Sequence, residues 1–96
     1  LPSDLKNLFD IMITGDQVKK GKPGPEPYLK AASGLGIRPD ECVVIENAPL
    51  GVKSAKNAGM FCIALTTGLQ KEFLKGADII LDGLDETRIF LTRILQ

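Results

Sequence analysis

Val43–Gly51, with the sequence VVIENAPLG, is the stretch that decides how the chain folds. Its apolar β-branched run predicts a buried strand, and Pro49 opens a segment with helical spacing that stops at Gly59. The stretch therefore predicts a strand, a tight turn and a helix. In open α/β sheets, ligands bind just beyond the carboxyl ends of the strands, and Glu46 and Asn47 lie at such an end.

Two interpretations of this acid and amide are open. Their oxygens could hold a hard cation such as Mg²⁺, which prefers carboxylate and carbonyl ligands. Alternatively, Asn47 only caps the following helix, and Glu46 only places a favourable charge near the positive end of that helix. The local sequence, taken alone, favours the second interpretation.

The rest of the chain alternates between strand and helix patterns. Strands are predicted at 9–14, 42–45, 60–65 and 77–81, crossover helices at about 25–35 and 48–58, a helical turn at 71–75 and an amphipathic helix after Asp85. The expected apolar positions are Tyr28, Leu29, Ala32 and Leu35 in the first helix, Leu50, Val52, Ala55 and Ala58 in the second, and Ile89, Phe90, Ile94 and Leu95 in the last. This alternation predicts an α/β fold with a parallel sheet and right-handed crossovers.

Composition limits the classes of protein to which the chain can belong. Its 96 residues, 44% of them hydrophobic, fit one small domain over 1–96, and 12 basic and 12 acidic side chains predict no overall attraction to nucleic acid or membrane. The absence of histidine excludes a histidine base or metal ligand. Cys42 and Cys62 are expected to be reduced core residues in a cytoplasmic setting. The start at Leu1 suggests processing, or a piece cut from a longer protein.

A second informative stretch is Gly21-Lys22-Pro23, which follows a predicted strand and precedes a helix. Glycine and proline restrict the backbone around the lysine, so its ammonium could be aimed at a phosphate and could offset charge in phosphoryl transfer. The simpler interpretation is a solvated loop charge beside Lys19 and Lys20. Two strand ends that supply a cation, an acid and an amide together favour a functional site.

These residues closely resemble the C-terminal half of haloacid-dehalogenase-like (HAD-like) phosphohydrolases, nearest to the β-phosphoglucomutase-like phosphatases and mutases. The resemblance runs from about Phe9 to Asp85. The matching segments are FD at 9–10, TGD at 14–16, GKP at 21–23, PEPY at 25–28, VIENAPLGV at 44–52 and AGM at 58–60.

The resemblance implies a role for each matching residue. Lys22 would be the catalytic lysine that contacts the transferring phosphate, and Glu46 and Asn47 would be the metal pair that holds Mg²⁺. Asn47 stands where many members of the family have aspartate, so it would bring less charge to the cation. The implied substrate is a small phosphorylated metabolite, with sugar phosphates the expected class.

The resemblance also implies what this sequence lacks. The family's nucleophile is the first aspartate of an Asp-x-Asp motif on an N-terminal strand, and the sequence contains no Asp-x-Asp and no cap domain. The fold is therefore expected to be an incomplete Rossmann-like (HAD-like) sheet, with a gap between the strands at 9–13 and 42–45 that the missing N-terminal segment or another chain would fill.

Two functions follow as expectations. The first is the C-terminal part of a Mg²⁺-dependent phosphatase or phosphomutase that works through an aspartate from outside this sequence, so that the chain alone is inactive. The alternative is a non-catalytic truncated module that associates with a partner chain.

Overall fold

The computed structural model describes residues 11–14, 21–66 and 71–82. These ranges form a four-stranded parallel sheet in the order β1-β2-β3-β4, which confirms the predicted fold class. The strands are β1 (Ile11–Thr14), β2 (Cys42–Glu46), β3 (Phe61–Leu65) and β4 (Ile79–Leu81), the helices are α1 (Glu26–Gly34) and α2 (Pro49–Asn57), and short 3-10 turns span Pro39–Glu41 and Lys71–Phe73. The helix predicted after Asp85 lies outside the described residues.

β2 is one of the two inner strands of the sheet, and all five of its residues are buried. Its β-branched residues suit an extended, covered backbone. Val44 faces a cluster that includes residues of α1 and α2, whereas Val43 and Ile45 face a second cluster formed with residues of β3 and β4. The alternation of side chains along β2 therefore places apolar groups on both faces of the sheet.

Three predicted core positions are wrong. Leu29 and Leu35 of the first helical segment are 39% and 55% exposed, and Leu50 at the start of α2 is 56% exposed. α1 instead meets the core through Tyr28 and Ala32, which lie one turn apart on one face and are at most 1% exposed. The sheet-facing stripe of each helix is thus narrower than the apolar pattern in the sequence suggests.

The expected gap in the sheet is also wrong. β1 pairs directly with β2 in parallel, with Ile11 opposite Cys42 and Thr14 opposite Ile45. Unpaired backbone groups along a strand edge are costly to bury, and the two strands satisfy those groups by pairing with each other. Within the described residues, the sheet is therefore continuous.

The turn from α2 into β3 is fastened to β4 by one carboxylate. Asp78 Oδ2 accepts hydrogen bonds from the Cys62 backbone N–H at 2.7 Å and from Lys56 Nζ at 2.8 Å. Cys42 and Cys62 are fully buried thiols, as predicted for core cysteines, and burial raises the pKa of the Cys62 thiol to about 12. No helix within the described ranges is long and apolar enough to cross a membrane.

The substitution Met60→Ala tests the core of this fold. Met60 is fully buried where α2 leads into β3, so the substitution should lower the free energy of unfolding by about 2–5 kcal/mol. Urea unfolding of the protein that carries this chain measures the change. Leu35→Ala is the control, because Leu35 is 55% exposed and its truncation should cost no more than about 0.5 kcal/mol. Equal losses for both variants would contradict the described core.

Candidate functional site

The site is built around the Glu46 side chain at the carboxyl end of β2. Glu46 is only 3% exposed, so an ionised carboxylate there needs several hydrogen-bond donors. Oε2 accepts the backbone N–H groups of Asn47 and Ala48, both at 3.0 Å. Oε1 accepts two side-chain donors, from Lys22 and Tyr28.

Lys22 supplies the charge that balances Glu46. Its Nζ lies 2.6 Å from Glu46 Oε1, and the side chains are 18% and 2% exposed respectively. The ion pair joins residues 24 positions apart, so it holds the loop before α1 against the end of β2. The lysine ammonium therefore reaches the carboxyl edge of the sheet and is not a solvated loop charge.

Tyr28 is the second side chain that orients Glu46. It is fully buried in α1, and its hydroxyl donates to Glu46 Oε1 at 3.0 Å. The Lys22 ammonium lies 5.7 Å from the centroid of its ring, within the range of a cation–π contact. Burial and the neighbouring Glu46 charge raise the pKa of the Tyr28 hydroxyl, so it stays protonated and remains a donor.

Gly51 leaves the space that the Glu46 carboxyl occupies. A Cβ built on Gly51 would overlap the Glu46 carboxyl carbon and both of its oxygens. A glycine inside a helix costs about 1 kcal/mol relative to alanine, so its presence in α2 calls for a packing reason. The reason here is the close approach of the carboxylate to the helix backbone.

The pKa of Glu46 shows which influence dominates. Burial alone would raise the pKa of this carboxyl, but the hydrogen bonds from Lys22, the Ala48 backbone and Tyr28, together with the Lys22 charge, bring the pKa below the ordinary value of 4.5. Glu46 is therefore ionised at neutral pH.

The simpler interpretation of Asn47 is wrong. The N-cap of α2 is Ala48, and no side chain caps that helix by a hydrogen bond. Asn47 is instead exposed, one residue beyond the end of β2, where its amide oxygen can meet a ligand. Glu46 does accept N–H groups close to the helix start, so that part of the simpler interpretation is confirmed.

The side-chain oxygens of Glu46 and Asn47 could supply part of the ligand set of a Mg²⁺ ion. Mg²⁺ in proteins takes one or two carboxylates and keeps several waters, and it is completed by substrate phosphates. Glu46 and Asn47 offer a carboxylate and an amide side by side, although Glu46 already accepts four hydrogen bonds and would have to exchange one for the metal. Among the described residues, no three histidine, cysteine, aspartate or glutamate side chains cluster as a metal site.

The structure brings Lys22 and Glu46 into contact, and Asn47 follows Glu46 in the chain, so the three predicted site residues lie at one edge of the sheet. Sequence reasoning missed the parts played by Tyr28 and Gly51. Tyr28 lies in the matching segment at 25–28, but that match and its apolar spacing did not indicate its contact with Glu46, because a tyrosine on the inner face of a helix usually serves the core. Gly51 did carry a signal, since an isolated glycine within a helical pattern often marks a close approach.

Comparison with known proteins places this geometry in a family. A family model described as haloacid dehalogenase-like hydrolase matches residues 2–65. A validoxylamine A 7'-phosphate phosphatase of Streptomyces hygroscopicus subsp. limoneus is 47% identical over 81 residues, which cover 84% of this chain and 38% of that protein. Hexitol phosphatase A of Escherichia coli is 39% identical over 80 residues, which cover 83% of this chain and 37% of that protein.

A solved structure gives the same result. A protein of Bacteroides vulgatus that is provisionally named a beta-phosphoglucomutase superposes with a TM-score of 0.71 at 41% identity, covering 88% of this chain and 36% of that one. The chain thus spans less than two fifths of the length of each of these three relatives. The matched model, the relatives and the lysine–glutamate pair at the end of β2 agree, and the chain belongs to the haloacid dehalogenase-like hydrolase family.

Proposed function

We propose that these 96 residues are one domain, the C-terminal part of the core of a Mg²⁺-dependent phosphoryl-transfer enzyme. The protein would be a phosphatase or a phosphomutase that acts on a small phosphorylated metabolite, with sugar phosphates as the substrate class. An aspartate from outside this sequence would accept the phosphoryl group and pass it to water or to a sugar hydroxyl. The observation that carries the proposal is the Lys22–Glu46 ion pair at the carboxyl edge of a haloacid dehalogenase-like sheet.

The names of the relatives support the substrate class. One is named a validoxylamine A 7'-phosphate phosphatase, and another is named a hexitol phosphatase. The relative of known structure carries the name of a phosphoglucomutase. All three names describe phosphate chemistry, and two of them name a hexitol or a phosphoglucose as the compound acted on.

In this proposal, Lys22 is the catalytic residue of the chain. A lysine ammonium is a compact positive charge with three donor hydrogens, and it can stabilise charge that develops on a transferring phosphate. The ion pair with Glu46 fixes where that charge lies, because the carboxylate is itself held by two backbone N–H groups. Preorganised charge of this kind needs little rearrangement when the phosphate transfers.

Glu46 and Asn47 would hold the Mg²⁺ ion. The bound ion would offset phosphate charge and fix the orientation of the phosphate. Asn47 is exposed and offers its amide oxygen, whereas Glu46 supplies negative charge from within the site. The two side chains differ in burial, so Asn47 would contact the ion from the open side of the edge.

The alternative is a non-catalytic module that binds a partner chain. The continuous pairing of β1 with β2 favours this alternative, because the described strands need no further strand between them. The proposed cytoplasmic location rests on two free, buried cysteines and is shared by both candidates.

Release of phosphate from a simple phosphate ester discriminates the two candidates. We expect the protein that carries this chain to hydrolyse para-nitrophenyl phosphate with Mg²⁺ present, to lose that activity in EDTA and to regain it when Mg²⁺ is restored. The measurement is inorganic phosphate released over time. A protein of verified intact mass that releases no phosphate with Mg²⁺ would support the partner-binding module instead.

Lys22→Ala tests the catalytic assignment. Removing the ammonium should lower kcat about 100- to 1,000-fold, as expected when one group that stabilises transition-state charge is lost. Steady-state kinetics on the same ester measure the effect. Lys30→Ala removes an exposed lysine from α1 and should leave kcat unchanged. Near-normal turnover of Lys22→Ala would refute the assignment.

The pKa of Glu46 predicts how stability depends on pH. Because this pKa is lower in the folded protein than the ordinary value of 4.5, the stabilisation is present above that value and is lost as pH falls through the folded-state pKa. We therefore expect the free energy of unfolding, measured with urea, to fall less between pH 7 and pH 3 in Glu46→Gln than in the unmodified protein. Titration of the Glu46 carboxyl by ¹³C NMR gives a second measurement, and a midpoint above 4.5 would contradict the prediction.

A further inference from the structure

The loop that carries Lys22 is a tight turn closed by glycines. The Gly24 N–H donates to the Gly21 carbonyl at 2.9 Å, and Gly21 has a φ of +95°, a conformation that favours glycine. The Lys22–Pro23 peptide within this turn is cis. Closing the turn uses the Gly21 carbonyl and leaves the carbonyls of Pro23 and Gly24 to face another element.

That element is α2, which donates a hydrogen bond to each of the two carbonyls. Asn57 Nδ2 donates to the Pro23 carbonyl at 3.2 Å, and the Ser54 hydroxyl donates to the Gly24 carbonyl. Ser54 is fully buried, and it lies three residues before Asn57, so the two donors share one face of the helix. We call Ser54 and Asn57 the loop clamp.

The same helix also touches the other partner of the ion pair. Gly51 lies three residues before Ser54 and makes room for the Glu46 carboxyl. One face of α2 thus sets the position of the Glu46 carboxylate at one end and the backbone of the lysine loop at the other. The separation between the lysine and the carboxylate is therefore fixed by a rigid element, not by the ion pair alone.

We propose that Ser54 and Asn57 are positioning residues that set where the Lys22 ammonium lies at the carboxyl edge of the sheet. The inference rests on the proposed function, in which Lys22 contacts the phosphate. Without the clamp, the turn would keep its Gly24–Gly21 hydrogen bond but lose its attachment to α2. The ammonium would then spend less time in the position that a bound phosphate requires.

Alanine is a suitable replacement at both positions because it has the highest helix propensity, so α2 should remain helical. Asn57→Asp is a sharper variant, because aspartate has nearly the shape of asparagine but an ionised carboxylate has no N–H to donate. It should weaken the clamp at least as much as Asn57→Ala. Lys53→Ala, at an exposed position of the same helix, is the matched control.

The test is a double-mutant cycle in the protein that carries this chain. Ser54→Ala and Asn57→Ala are combined, and kcat with para-nitrophenyl phosphate and the Kd of inorganic phosphate are measured with Mg²⁺ present. We expect the double variant to lower kcat about 10-fold or more and to weaken phosphate binding, with Lys53→Ala unchanged. In a Lys22→Ala background, the clamp substitutions should cause no further loss, because the clamp acts through Lys22.

Three outcomes would overturn the inference. If the clamp substitutions lower kcat and phosphate affinity as much in the Lys22→Ala background as in the unmodified protein, the clamp serves general folding. Phosphate affinity gives this result even where turnover is too slow to measure. Fully active clamp variants beside a crippled Lys22→Ala would remove the inference and leave the proposed function standing. Full turnover of Lys22→Ala would remove the proposed function and the inference together.

Discussion

The structure depends on keeping one carboxylate charged inside the protein. Glu46 is 3% exposed, and removing an ion from water costs several kcal/mol unless donors surround it. Its four donors come from different parts of the chain: the lysine loop, α1 and the turn that leads into α2. Satisfying Glu46 therefore fixes these three segments relative to β2. The end of the strand thereby collects hydrogen-bond donors from all three segments around one charge.

The packing of α2 follows from the same constraint. Because the carboxylate lies against the helix backbone, Gly51 cannot carry a side chain, and the small residue Ser54 lets the lysine loop approach one turn later. Larger side chains on this face would separate the loop from the strand end and lengthen the ion pair. Leu50 also belongs to α2. It is apolar and nevertheless exposed.

The fold could be predicted from sequence, and the candidate site residues could be singled out, because each has a strong local pattern. The run before Glu46 marks a buried strand, Pro49 marks a helix start, and Gly21 with Pro23 marks a restricted loop around the lysine. The contacts that orient Glu46 could not be predicted, because the hydroxyl of Tyr28 is 18 residues away and its helical spacing is that of any core residue. The pairing of β1 with β2 could not be predicted from local patterns either. Strand order depends on contacts between segments that are far apart in the sequence.

The pairing of β1 with β2 has a consequence for how a complete active centre would assemble. The ladder joins four residue pairs, from Ile11 opposite Cys42 to Thr14 opposite Ile45, and it occupies the edge of β2 next to Glu46. While β1 pairs with this edge of β2, no other strand can pair with it. A strand placed between β1 and β2 would therefore form two ladders, one with each of them, in place of the single ladder that now joins them.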